Sequence, residues 1–337
     1  MAAYTTIDDP SAYFQVAQWT GNASTRSITL PGDTDMQPDI VWVKGRSVDH
    51  SHRFYDSVRG ATKYLNTATD GAEGSGADTM QAFQSDGFQV GTDGSHNTNT
   101  DTYVAWCWKE SATAGFDIVA FEGTGSARTI SHSLSAVPHL LITKQREDPG
   151  GGSNSWNVYH HKNTSAQETD YLTLNGNSAT SDSNIRWNDT APTSSVFTVG
   201  TGNSVNQSGV DHIMYLWSEK QGYSKFGSYV GNGSSSGPMI WLGFRPAWVM
   251  FKKTDSGTAD WEIMDNKRAG YNDATYKISA NATSAENTDS GRLEILSNGF
   301  KIRTTGTGLN TSGGTYIYVA FAEAPFVNSN GVPCNAR

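Results

Sequence analysis

The sequence predicts an all-β protein made of three tandem β-sandwich repeats, of jelly-roll or lectin-like kind, and two observations carry that prediction. The first is composition: 10 Trp, 14 Tyr and 13 Phe stand among 35 Gly in 337 residues. Aromatic and β-branched strands punctuated by Gly, Asn and Asp turns are the makings of sheets. The second is an internal repeat of about 105 residues whose marks recur three times in the same order. A unit of that size can bury a core without disulfides or metals.

Each unit opens on a strand that ends with an aromatic two residues before Gly: Trp19-Thr20-Gly21, Phe121-Glu122-Gly123 and Tyr229-Val230-Gly231. A Pro follows, then an apolar strand, then Lys six residues after the Pro: Pro38 to Lys44, Pro138 to Lys144 and Pro246 to Lys252. Pro at a strand entrance gives up no ladder hydrogen bond. Lys at a strand end can bury its stem and keep its amine wet. Shorter strands come next, at 53–56 and 88–90, at 156–159, 171–174 and 196–199, and at 261–264, 293–296 and 300–302. Several alternate with period two, the mark of a half-buried strand. The closing strands, 103–108, 213–217 and 316–321, are apolar on both faces. They are therefore expected in mid-sheet, covered on both sides.

The units run over 13–112, 113–221 and 222–327, with an N-terminal arm at 1–12 and a polar C-terminal tail at 328–337. The joints, near 110–115 and 219–222, are a few residues long, and such joints predict a semi-rigid rod of units. No long helix is expected; segment 79–83 could form one turn.

Charge and cysteine usage exclude several classes. The chain has 24 Lys+Arg against 33 Asp+Glu, a formal net charge of −9, and no basic stripe. That balance disfavours nucleic acid, whose affinity comes largely from phosphate neutralisation, and disfavours anionic membranes equally. No apolar run approaches the ~20 residues that span a bilayer, so no membrane insertion is expected. Residues 1–10 lack the basic and apolar regions of a secretory signal. Cys107, in an apolar strand, and Cys334, near the end, read as free thiols.

Chemistry-bearing residues are few. His50 and His52 flank Ser51 in a polar loop. His160 and His161 are adjacent, so on a strand they face opposite ways and cannot simply share a metal. Cys107 in a core strand reads as inert. The oxygen-rich loop 92–101, with His96, Asn97 and Asn99, could hold a hard cation, but it lacks EF-hand spacing and a closing Glu. A plain polar loop is the competing reading. Neither a phosphate-binding loop nor a nucleophile elbow is present. The acidic pair Asp8-Asp9 sits in the arm and suggests no glycosidase dyad. The sequence thus predicts no catalytic residue, no cofactor and no metal. The best binding candidate is Trp187 beside Asn188 and Asp189, where an exposed indole could stack on a sugar and the polar neighbours bond its hydroxyls. The competing reading is a Trp that closes one end of a sandwich. Arg59, before Gly60, could anchor an interface salt bridge.

The first unit carries a resemblance. Its stretches Thr6-Ile7-Asp8-Asp9-Pro10-Ser11, Gln37-Pro38-Asp39-Ile40-Val41-Trp42-Val43-Lys44, Asp56-Ser57-Val58-Arg59-Gly60, Ser85-Asp86-Gly87-Phe88 and Tyr103-Val104-Ala105-Trp106 strongly resemble a domain repeated in virion and tail-fibre proteins of marine bacteriophages, cyanophages among them. The second and third units keep the strand skeleton but lose the Asp-Ser-Val-Arg-Gly segment. The resemblance implies a non-enzymatic virion structural protein, made in the host cytoplasm and exposed on the tail or head. A tail fibre that attaches to the host surface, with a glycan as one class of receptor, is the leading reading. Its partners would be other virion proteins, through arm 1–12, and further copies of itself, with a trimer expected of a fibre. A head or tail decoration protein without a receptor is the alternative, and a glycan-degrading enzyme a more distant one.

Overall fold

The computed structural model describes residues 3–150, 154–255, 257–269, 272–288 and 292–334. Strands hold 41% of the chain and helices 6%, so the all-β class expected from the sequence holds. The helices are single turns, and among the described residues none is long and apolar enough to cross a membrane.

One antiparallel strand order recurs in each third of the chain. The opening strand pairs with the closing strand, which pairs with the Pro-to-Lys or axial strand, which pairs with a joint strand. In the first unit these are Phe14–Thr20, Thr102–Trp108, Ile40–Gly45 and Arg53–Asp56. In the second they are Phe116–Glu122, Asp211–Trp217, Leu140–Gln145 and Asn157–His160. In the third they are Ser224–Val230, Thr315–Pro325, Phe244–Lys253 and Glu262–Asp265. The closing strand lies inside its sheet each time, as its two apolar faces require. A second sheet covers one face, beginning with a flank strand: Arg26–Thr29, Arg128–Ser131 or Met239–Trp241. The flank strands pair with Gly87–Val90, Val196–Val199 and Gly299–Ile302 respectively. Segment 79–83 forms no helical turn: Met80–Gln84 is a strand of the first unit's second sheet. Pro246 does not sit at a strand entrance. It lies within the ten-residue axial strand at an irregularity of register, where a missing N–H costs no regular ladder bond.

The axial strands show how the units meet. Val41 and Val43 join the first unit's own core, with Ile28, Met80 and Phe88. Ile40 and Trp42, on the opposite face, join a central core shared by all three units. Leu141 and Leu140 divide in the same way in the second unit, as do Val249 and Trp248 in the third. Each main sheet thus has two apolar faces, and in a rod the second would stay wet. Instead the three faces cover one another. Trp108 lies 6.5 Å from Trp217 and 5.5 Å from Trp248 (ring centroids), and Phe14 stacks on Phe321 at 5.4 Å. The expected rod is therefore corrected to a closed ring of three units around one aromatic core.

Equivalent contacts repeat head to tail around that ring. The ammonium groups of the three buried axial lysines each donate to a carbonyl of the neighbouring unit: Lys44 to Thr283 at 3.0 Å, Lys144 to Asp70 at 3.1 Å and Lys252 to Asn177 at 3.2 Å. The residue before each joint strand makes the same crossing. His52 Nε2 meets the Ser279 carbonyl at 3.0 Å, Trp156 Nε1 that of Asn66 at 3.0 Å and Trp261 Nε1 that of Thr173 at 2.8 Å. A backbone bond completes each set, from Glu286 to Arg46, Glu73 to Arg146 and Thr180 to Thr254. The side-chain contacts run from first unit to third, second to first and third to second, the backbone bonds return the other way, and this heterologous interface closes after three steps.

Two of the joints hold a buried ion pair. Arg59 pairs with Asp56 at 2.5 Å and Arg268 with Asp265 at 2.6 Å. Glu73 then bridges Arg59 and Arg146, and Glu286 bridges Arg268 and Arg46. The Asp-x-x-Arg device is thus kept in the third unit, where the sequence reading had it lost; its spacing matters, not the residues between. Only the second unit lacks it, with His160 in its place. Both chain ends fold back: Ile7 enters the central core, Thr5 Oγ1 donates to Gln221 O at 2.8 Å, and Asp8 accepts from Ser329 N at 2.6 Å.

Candidate functional site: the outer face of the third unit

The residues singled out from the sequence do not assemble into one site. Trp187, offered either as an exposed sugar platform or as a Trp that closes one end of a sandwich, takes the second role: it is 2% exposed and packs with Tyr159 and Phe197 while its Nε1 donates to Asp170 O at 3.0 Å. Its loop is a helical turn, Asn184–Trp187, which tucks the indole under the second unit's sheets. Asn188 and Asp189 are exposed behind it, both with left-handed backbone, and have no aromatic ring to work with. His96 is fully buried, its ring edge-on to Tyr55 and 3.4 Å from Asp93, the cap of the turn Gly94–Asn97. Asn99 is exposed.

Asn97 is a structural clamp. Its amide donates to the Ser24 and Gly91 carbonyls at 2.7 and 2.6 Å, and its Oδ1 accepts from Asn22 N. Asn206 does the same with Ser126, Gly200 and Thr124, and Asn310 with Ser234, Thr304 and Asn232. Each clamp holds the chain where the Gly that follows each opening strand passes: a Cβ on Gly21, Gly123 or Gly231 would come within 2.0, 2.1 or 2.3 Å of a backbone oxygen. The loop 92–101 is thereby explained as a fold element. Among the described residues, no group of three His, Cys, Asp or Glu could hold a metal ion.

Two features look chemical at first sight. Glu110 and Asp117 share the first joint, and burial together with its bond to Asp117 pushes the Glu110 carboxyl up to about 7. Both carboxyls are spent on backbone N–H groups of Ile118 and Ser133. The thiol of Cys107 is pushed up strongly by full burial and stays protonated. A polar cavity of about 400 Å³ opens at the first–third joint beside Asp49, Asp260 and Lys277, and Glu286 on its wall is held by Arg46 and Arg268. The central core has a cavity of only about 20 Å³, lined by Trp42, Trp108, Trp217 and Trp248.

One surface breaks the internal symmetry. Nine of the ten tryptophans are at most 7% exposed, and Trp241 is 48% exposed. It ends the third flank strand, directly across from Gly299. The equivalent residues are Thr29, across from Gly87, and Ser131, across from Val196. Met239, 45% exposed, stands where the other units have Ser27 and Thr129. Opposite Met239 is Lys301, in place of Gln89 and Thr198. Val230, 59% exposed, stands where the opening strands of the others end in Thr20 and Glu122. Pro238 replaces Arg26 and Arg128, whose guanidiniums reach back to the Thr20 and Glu122 carbonyls. The fold tolerates hydroxyls at the flank positions, so the large side chains of the third unit are not there to hold it together. Beneath them Ile240 and Phe300 point into the core, as Ile28 with Phe88 and Ile130 with Phe197 do.

The indole is held on one side and open on the other. Phe326 meets it edge-on at 5.5 Å, and Lys225 Nζ donates to the backbone carbonyl of Trp241 at 2.9 Å. Its Nε1 makes no hydrogen bond to the described residues. Across the sheet, Leu296 faces Gly299 and Glu294 faces Lys301, with Asp273 beyond Glu294. The result is a shallow trough with Trp241 and Leu296 as walls, Gly299 as floor and charges of both signs along one side. Such a surface can stack an apolar ring face and exchange hydrogen bonds with its substituents. The signal was present in the sequence: aligning the three units places Trp241 on two hydroxyl residues, a swap no buried position would make.

No curated protein matches the chain. A single domain of unknown function, DUF7483, matches residues 9–325 without interruption, all three units together, and the chain belongs to that family.

Proposed function

We propose that this chain is a non-enzymatic bacteriophage virion protein, a tail fibre or tail-associated component exposed on the particle, and that it grips the host surface through the outer face of its third unit. The observation that carries the reading is Trp241: nine tryptophans are consumed by the cores, and the tenth is held out to solvent at the end of an edge strand. The resemblance of the first unit to phage virion domains supplies the setting. Most of the remaining chemistry-bearing residues, including the axial lysines, the Asp-x-x-Arg pairs, His52 and His160, are engaged in joints. Docking to other virion proteins through arm 1–12 loses ground, because Tyr4, Thr5 and Ile7 are engaged with the chain's own second and third units and central core. A trimer of chains is not needed to complete a three-fold core, since one chain supplies three units.

A decoration protein is the second reading, and the ring favours it in one respect: three equivalent units fit a three-fold position on a lattice. A map of the intact particle separates the two. Density on the tail with the third unit turned outward is expected; density confined to the capsid lattice would sink the attachment reading.

A further inference from the structure

Resting on that reading, we infer that the ligand of the third unit's outer face is a carbohydrate, with one sugar ring seated on Trp241 over Gly299. Four observations carry this. First, the exposed group is an aromatic ring with an open face and an unengaged N–H, which suits the C–H face and hydroxyls of a pyranose. Second, the floor is Gly299, so no cross-strand side chain covers the indole. The walls, Trp241 and Leu296, stand two strand spacings apart, about 9.5 Å, room for a single ring.

Third, the polar side of the trough mixes signs. Lys301 and Glu294 face each other across the strand pair, and Arg303 lies 3.8 Å from Glu294. A neutral polyhydroxylated ligand can donate to one and accept from the other. A polyanion would gain from Lys301 and Arg303 only against the opposing charges of Glu294 and Asp273. Fourth, the apolar area is small. The flank strand is three residues long and Pro238 precedes it, so neither a protein interface of about 800 Å² per side nor a strand added at the edge is well served.

The test uses the full chain and its Trp241→Ala, Trp241→Tyr and Glu294→Gln variants on an array of neutral and acidic glycans, and in titrations with soluble dextran, mannan and galactan. Trp241 is the exposed indole, so iodide quenching of the chain's fluorescence reports its cover directly. Retention of neutral glycans is expected, weakened about tenfold or more by Trp241→Ala, largely rescued by Trp241→Tyr and weakened by Glu294→Gln. Saccharide should protect the fluorescence from iodide. Binding to acidic glycans alone, binding unchanged in Trp241→Ala, or no binding with unchanged quenching would each overturn the inference. Adsorption of phage carrying the same variants distinguishes the layers. If Trp241→Ala lowers adsorption while no glycan binds or competes, the face is an attachment site but its ligand is a protein, and the carbohydrate assignment falls alone.

Discussion

At the scale of single residues, the most consequential side chains are three asparagines that no catalytic motif would pick out. Asn97, Asn206 and Asn310 are fully buried, and each amide closes two loop carbonyls and one loop N–H. Removing one strands those groups out of reach of water. Asn206→Ala is expected to cost about 2–4 kcal/mol in urea unfolding, while Asn99→Ala, exposed in the equivalent loop of the first unit, should change stability by less than about 0.5 kcal/mol. The clamp was legible: each Asn stands six residues before a ring residue of the closing strand, Tyr103, His212 or Tyr316. Trp187 shows the opposite case. Its polar neighbours suggested an open loop, yet a single helical turn was enough to swing the indole inward, and local polarity carries no information about which way a turn points.

At the scale of elements, the joint strands explain a pH dependence. His52 Nδ1 accepts from Trp42 Nε1 at 2.9 Å while Nε2 faces the Ser279 carbonyl; His160 Nδ1 accepts from Lys162 N while Nε2 faces the Tyr318 carbonyl. Both rings are therefore neutral with the proton on Nε2, and a second proton has nowhere to go. Burial holds both at about 3 in the fold, against about 6.5 in the unfolded chain. Between those values the unfolded state binds the extra proton and the native state does not, so stability is full above about pH 6.5 and falls as the pH drops toward 3. Each ring contributes a slope of about 1.4 kcal/mol per pH unit in that window. His160→Gln should flatten the profile by one such slope, read from urea midpoints between pH 4 and 7; an unchanged slope would show that His160 takes up its proton in the native state. The equivalence of His52, Trp156 and Trp261 was hidden from the sequence because the loops that lead to them from Lys44, Lys144 and Lys252 differ in length. Their shared task, one N–H carried across a joint, can be met by either ring.

At the scale of the whole molecule, the central core makes the three units one cooperative body. A lone first unit would expose Ile40, Trp42, Trp106 and Trp108, and each buried tryptophan contributes on the order of 2–3 kcal/mol by removal from water. The full chain should melt in one calorimetric transition, and residues 13–112 expressed alone should bind hydrophobic dyes and aggregate. Three separable transitions would contradict the ring. The opening, axial and closing strands and the two-faced pattern of the closing strands were readable from periodicity; the flank strands and Met80–Gln84 were not. What was not readable was the cover of the second face, because an apolar face states that something must lie against it and leaves open whether that is a helix, another chain or a sister unit. Short joints suggested a stiff rod and carried no information about the direction in which the units turn.

The contact between Asp8 and Ser329 brings the segment that leads into the first unit beside the segment that leaves the third. A ring whose ends meet has no architectural beginning. Were the backbone opened at the 110–115 linker and its present ends joined, the circularly permuted chain would trace the same joints in a different order. The face around Trp241 would then stand in the second of three units along the chain, so its place in the order of units does not follow from how the ring is built.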